Sequence, residues 1–186
     1  MRYLTNPLID RIESVLTDNS AGAITPAILR QLLVDMVESL RSTGAYMLRN
    51  TPLAYTFSDT SYRTIANLFT SGETRDSAEI ALSVPAQTFT AKFAADYEFT
   101  VSVTCSAGSA EVMDLALGVN GVPNVFFRSD SQMMGAGQPV SVNMTAYVSL
   151  QLNDIVTLMT ASRNAPANFT FETAGMIARL LPSRGV

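Results

Sequence analysis

The chain has 186 residues, no histidine, one cysteine and one lysine, and its 12 basic against 16 acidic side chains leave a net charge of −4. No basic patch could follow a nucleic-acid backbone or an anionic membrane surface, and without histidine the usual general base and the commonest metal ligand are gone. Hydrophobic residues at 47 % allow a real core, whereas charged residues at 15 % fall below the roughly 25 % of ordinary soluble domains, which suits a surface partly covered by copies of the same chain.

Residues 1–44 read as two short helices. Asn6-Pro7 and Thr25-Pro26 each place a capping residue before a proline at the first helical position. Leu8, Ile9, Ile12, Val15 and Leu16 follow at helical spacing, and Asp18 to Gly22 ends that helix. The second helix starts at Pro26 and is closed by Gly44. Its Leu29, Leu33, Met36 and Leu40 form a heptad seam, widened by Ile28, Leu32 and Val37. Seven such side chains represent on the order of 10 kcal/mol if buried. The two helices could pack on each other as a hairpin, but so short a pair offers little core, and the stripe is expected rather to attach the chain to another protein or to other subunits. The opening residues lack the apolar core of a secretory signal, and no apolar run approaches the roughly eighteen residues of a membrane span.

Residues 45–87 read as a connecting region with short strands. Tyr46-Met47-Leu48, Leu53 to Phe57, and Ile80, Leu82 and Val84 have strand character; Pro85 ends the last of these. Ile65 to Phe69 fits either a strand or a helical turn, and Ser71 to Ser77 reads as an exposed loop. Glu73, Asp76 and Glu79 are the one acidic group there that could hold calcium, although an exposed loop explains them as well.

From residue 88 to 182 the pattern is that of an all-β domain. Between Phe89 and Cys105 every odd position is apolar, and the even positions are small, polar or charged, the period of a strand with one greasy face. Seventeen residues at roughly 3.3 Å each would span about 55 Å, so a break at Ala94-Ala95-Asp96 is expected. The alternation turns Cys105 inward as an inert thiol. Val112 to Val119, the hairpin signal Asn120-Gly121, and Val122 to Arg128 follow. Met133 and Met134, between flexible neighbours, form a candidate exposed contact loop because methionine adapts to varied surfaces. Val140 to Leu150 alternates without a fault; Leu152-Asn153-Asp154 is a turn, and Ile155 to Met159 is the next strand. Phe169, Phe171 and Met176 to Leu181 finish the domain. Eight or more short strands separated by turns predict a sandwich or jelly roll. The sequons at Asn143 and Asn168 are read as chance matches.

The order of these motifs resembles the complement-type and tumour-necrosis-factor-like (TNF-like) globular heads. Ala95-Asp96-Tyr97-Glu98-Phe99 is similar to their Gly-x-Tyr-x-Phe segment, and Leu115 to Gly121 to their Leu-x-x-Asn-Gly hairpin. Val148 to Val156 is similar to their Leu-x-Leu-x-x-Gly-Asp-x-Val turn, and Phe169 to Leu180 to their closing Phe-x-Gly strand. Asp96 and Asn153 stand where those heads carry glycine. The resemblance covers about residues 85–181. It implies a jelly roll that forms a homotrimer through an aromatic-rich face, with Phe93, Tyr97, Phe99, Phe169 and Phe171 as candidates for the trimer core. Asp18 to Arg30, continuing to Leu40, resembles a segment at the start of tailed-bacteriophage fibre and virion surface proteins. It implies attachment of a trimeric knob to a virus particle.

The expected protein is thus mainly β, trimeric, and not an enzyme, with short N-terminal helices before a TNF-like jelly roll. It needs no cofactor, catalytic residue or metal. Its expected place is the phage surface after synthesis in the host cytoplasm, as a capsid decoration or head spike, or as a short tail fibre touching a host receptor. Its partners would be itself and other virion proteins, with no nucleic acid and no membrane insertion. The competing class is a glycan-degrading enzyme, which needs two carboxyls across a cleft. The close carboxylate pairs are Asp96/Glu98 and Glu111/Asp114, and residues two apart on a strand, as Asp96 and Glu98 are, share the polar face expected in solvent.

Overall fold

A computed structural model describes residues 44–74, 79–108, 110–132 and 137–181, with backbone alone for 125–128, 131 and 132. The expected helices, and with them Ile28, Leu29, Leu32, Leu33, Met36, Val37 and Leu40, lie outside the described residues, as do Met133 and Met134. The rest is an antiparallel β-sandwich. Its strands are β1 (Ala45–Arg49), β2 (Leu53–Phe57), β3 (Ser71–Thr74), β4 (Ile80–Ser83), β5 (Thr88–Ala91) and β6 (Ala95–Ala107). They continue with β7 (Val112–Val119), β8 (Val122–Gln132), β9 (Val140–Leu150), β10 (Ile155–Ser162) and β11 (Ala167–Leu180).

One sheet runs β3-β1-β11-β6-β9, with β2 also paired to β11; the other runs β4-β5-β10-β7-β8. The chain crosses between sheets at six of the ten connections between these strands, which is the jelly-roll pattern. The alternating ribbon splits after Ala91 and resumes at Ala95, so its two halves sit in different sheets. In β6, Tyr97, Phe99, Val101, Val103 and Cys105 all point into the core. The hairpin after β7 has Asn120 at φ 52° and Gly121 at φ 80°, the two left-handed residues that this tight turn requires.

Residues 45–87 are woven into the sandwich rather than leading to it. β1 and β2 both pair with β11, and β4 pairs with β5. Two expectations change here. Ser71 to Thr74 is a strand, paired to β1 from Leu48↔Ser71 to Ala45↔Thr74, although Ser-Gly-Glu-Thr carries no strand pattern of its own. Its Gly72 lies so close to β1 that a Cβ there would sit 2.6 Å from the Tyr46 carbonyl oxygen. Ile65 to Phe69 is neither strand nor helix but an irregular turn with Asn67 at φ 58°. Ile65, Leu68 and Phe69 nevertheless enter the core.

Two buried polar side chains hold that turn. Arg49 points inward from β1, donating from Nε to Leu68 O at 2.9 Å and from Nη2 to Asn67 O at 2.7 Å. Gln87, itself at φ 59°, accepts from Phe69 N at 2.6 Å and donates back to Phe69 O at 3.0 Å. Its side-chain amide replaces the strand that Phe69 lacks.

Candidate functional site

The aromatic residues expected at a trimer core are mostly inside one chain. Tyr97, Phe99, Phe169 and Phe171 are at most 2 % exposed and lie between the two sheets. Phe99 meets Phe89 edge-on at 6.0 Å between ring centroids, and Phe169 meets Phe57 at 5.4 Å. Alternation identified the greasy face correctly, but the second sheet of the same chain covers it. Only Phe93 of the five is exposed, in the β5–β6 loop.

The carboxylates serve structural bonds. Asp114 and Asp130, on neighbouring strands, both pair with Arg163. Asp96 accepts from the Ser149 hydroxyl, and Glu73 accepts from the Tyr46 hydroxyl at 2.9 Å. Asp154 is held below the usual carboxylate range by the Asn120 side-chain amide and by the Gln151 N–H. Asp59 is pulled down to about 2, chiefly by its bond from Arg63. Among the described residues, no group of three acidic or sulfur ligands could hold a metal ion. Asp76 of the suggested calcium group lies outside them. Cys105 is buried, and desolvation, with Glu172 adding to it, raises its thiol pKa to about 12, which removes it as a nucleophile at neutral pH.

What the described residues offer is surface. On the outer face of the first sheet, register sets Tyr46, Ile177, Thr100 and Thr145 in one row across four strands. Arg179, Glu98 and Tyr147 form the next. Leu48, Gly175, Ser102 and Asn143 form a third. Tyr147 is 59 % exposed, and Ile177 is 37 % exposed. Their neighbours mix small side chains, Thr100, Thr145 and Gly175, with two opposite charges, Glu98 directly across from Tyr147 and Arg179 across from Glu98. In the sequence, Tyr147 stands alone among Ser141, Asn143, Thr145 and Ser149, the small, polar phase of the Val140 to Leu150 alternation, and that isolation is its signal. At one end of the sandwich, Tyr55, Thr56, Ser106, Gly108, Gly137 and Asn168 help to line a shallow groove of about 380 Å³.

No protein-family model matches the chain, and neither does any curated protein. Among solved structures, Eiger TNF from S. frugiperda is similar, with a TM-score of 0.55 at 10 % identity, over 78 % of this chain and 97 % of that one. The globular domain of zebrafish complement 1qA aligns with a TM-score of 0.48 at 14 % identity, over 75 % of this chain and 97 % of that one. Murine APRIL at pH 5.0 aligns with a TM-score of 0.46 at 12 % identity, over 74 % and 98 %. The match to Eiger TNF makes the sandwich a TNF-like jelly roll in fold.

Proposed function

We infer that this chain is a non-enzymatic structural protein of a tailed-phage particle, acting as a homotrimer. Residues 1–44 dock it to capsid or tail proteins, and the jelly roll is the exposed head. The observation that carries the self-association is the outer face of the first sheet. Its large exposed side chains, Tyr147 and Ile177, stand on regular strands, with small residues at Thr100, Thr145 and Gly175 and the opposite charges of Glu98 and Arg179 beside them. This face replaces the buried aromatics as the surface shared between subunits. The place on a phage rests on the likeness of residues 18–40 to phage surface proteins, and β1 begins directly after that segment, without a shaft, which favours a decoration or head spike.

Two measurements test this. Light scattering at micromolar concentration should give three times 20.0 kDa, and Tyr147→Asp should release folded monomers. A wild-type chain that stays at 20.0 kDa overturns the trimer. Deleting residues 1–44 should leave the sandwich folded but unable to co-sediment with particles, and co-sedimentation of the truncated protein overturns the docking role. Release of reducing ends from host polysaccharide would favour the glycan-degrading alternative.

A further inference from the structure

Six large apolar side chains are exposed among the described residues, and four of them sit at one end of the sandwich. Phe93 (51 %) is in the β5–β6 loop, Val122 (67 %) follows the β7–β8 hairpin, and Leu152 (59 %) and Ile155 (42 %) flank the β9–β10 turn. These loops are tied together. Asn153 N donates to Ala91 O at 2.8 Å, and Ala91 N to Asp154 O at 2.9 Å. Asn120 donates from its side chain to Asp154 Oδ1 at 2.8 Å and accepts from Ile155 N at 2.9 Å. The Tyr97 hydroxyl donates to Phe93 O at 3.1 Å. A surface fixed in advance loses little freedom when it is covered, so its apolar area goes further toward affinity than that of a floppy loop.

The same end is where the chain joins residues 1–43. Ala45, the first residue of β1, pairs with Ala178 near the close of β11. Leu181 N donates to Asp96 O, beside the β5–β6 loop. A partner that holds the segment just before Gly44 is thereby tethered at this end, at a high effective concentration. The opposite end holds the shallow groove and, among the described residues, no large exposed apolar side chain.

We propose that Phe93, Val122, Leu152 and Ile155 form a second docking contact, seated on an apolar surface of the same particle protein that receives residues 1–44. This rests on the docking role inferred above. Asp154, the carboxylate at the centre of these loops, is held in place by Asn120 and Gln151 N and keeps its charge, so the apolar surface that meets it carries no carboxylate opposite. The segment and the end patch bind as a linked pair, so both contribute to one affinity.

The test measures binding of the full chain to purified phage particles assembled without it. Phe93→Glu and Leu152→Glu are made separately, with Asn164→Glu at the opposite end as control. Each of the first two should weaken binding about tenfold or more, as for a central interface residue, while remaining trimeric and melting with the wild type. The control should bind as the wild type does. Wild-type binding by both variants overturns the proposal while leaving the docking role of residues 1–44 standing. A variant that changes the oligomeric state overturns it in favour of a second copy as occupant. One that melts markedly earlier overturns it by making the residue structural. If the wild type itself does not bind, the docking role fails, and this contact fails with it.

Discussion

Arg49→Met should release the turn that fills one corner of the core. Arg49 is 6 % exposed. Among the described residues its guanidinium meets oxygens rather than a carboxylate: Leu68 O, Asn67 O, Thr51 O, Thr51 Oγ1 and Pro52 O. Methionine fills a similar volume but donates nothing. The bond to Leu68 O is buried, and an orphaned buried acceptor costs about 1–3 kcal/mol. The remaining carbonyls are half-buried, and water can replace part of what they lose, so they add about 1–2 kcal/mol together. Removing a desolvated charge offsets some of this. The net expectation is about 2–4 kcal/mol, which at roughly 3 °C per kcal/mol for a domain of this size lowers the melting temperature by about 10 °C. Denaturation should be followed at fixed protein concentration, because any association of copies would make apparent stability depend on concentration. Hydrogen exchange supplies the local readout: the amides of Leu68, Phe69 and Thr70 should lose protection before those of β6. Arg49→Lys should fall in between, since one ammonium cannot span both sides of the turn. Wild-type stability in Arg49→Met, or unchanged protection at Leu68 to Thr70, would refute the reasoning.

Gly72→Ala should displace β3, because the new methyl would press on the Tyr46 carbonyl and on Leu82 Cδ2, 2.9 Å away; a loss of about 1–3 kcal/mol in urea unfolding checks it. The Asp59 carboxyl, lowered from 3.8 to about 2 in the folded chain, should give stability that is present above pH 4 and lost as pH falls toward 2. Asp59→Asn should abolish that part of the acid response, and an NMR titration of Asp59 near its ordinary value would contradict it. Cys105 should resist thiol reagents at pH 8 in the folded protein and react at once in denaturant. Rapid labelling of the native protein would show that the sandwich opens around β6.

The strands legible in the sequence are those whose own side chains state a period and whose ends state a turn. The ribbon ending in Cys105, the faultless alternation of Val140 to Leu150 and the Asn120-Gly121 hairpin could be read because each signal lies within one continuous stretch of at most seventeen residues. β3 could not, since Ser71 to Thr74 forms a strand only through its pairing to β1. The turn at Ile65 to Phe69 could not, because its anchors, Arg49 and Gln87, are 18 or 19 residues away in sequence. Nor could the apolar end patch, because Phe93, Val122, Leu152 and Ile155 come from three loops that only the sandwich brings to one end.

By itself the sequence determined which residues share a face, because a strand's period of two is fixed by backbone geometry. It did not determine what covers that face. Tyr97, Phe99, Phe169 and Phe171 were suitable for a neighbouring subunit or for a second sheet of the same chain, and local pattern is identical in the two cases. The tertiary structure decided it: the β5–β6 break sends the two halves of one apolar ribbon into opposite sheets, where Phe89 closes on Phe99. With those rings buried inside one chain, the large apolar side chains left on the outer face of the first sheet are Tyr147 and Ile177, which the polar phase of the sequence had concealed.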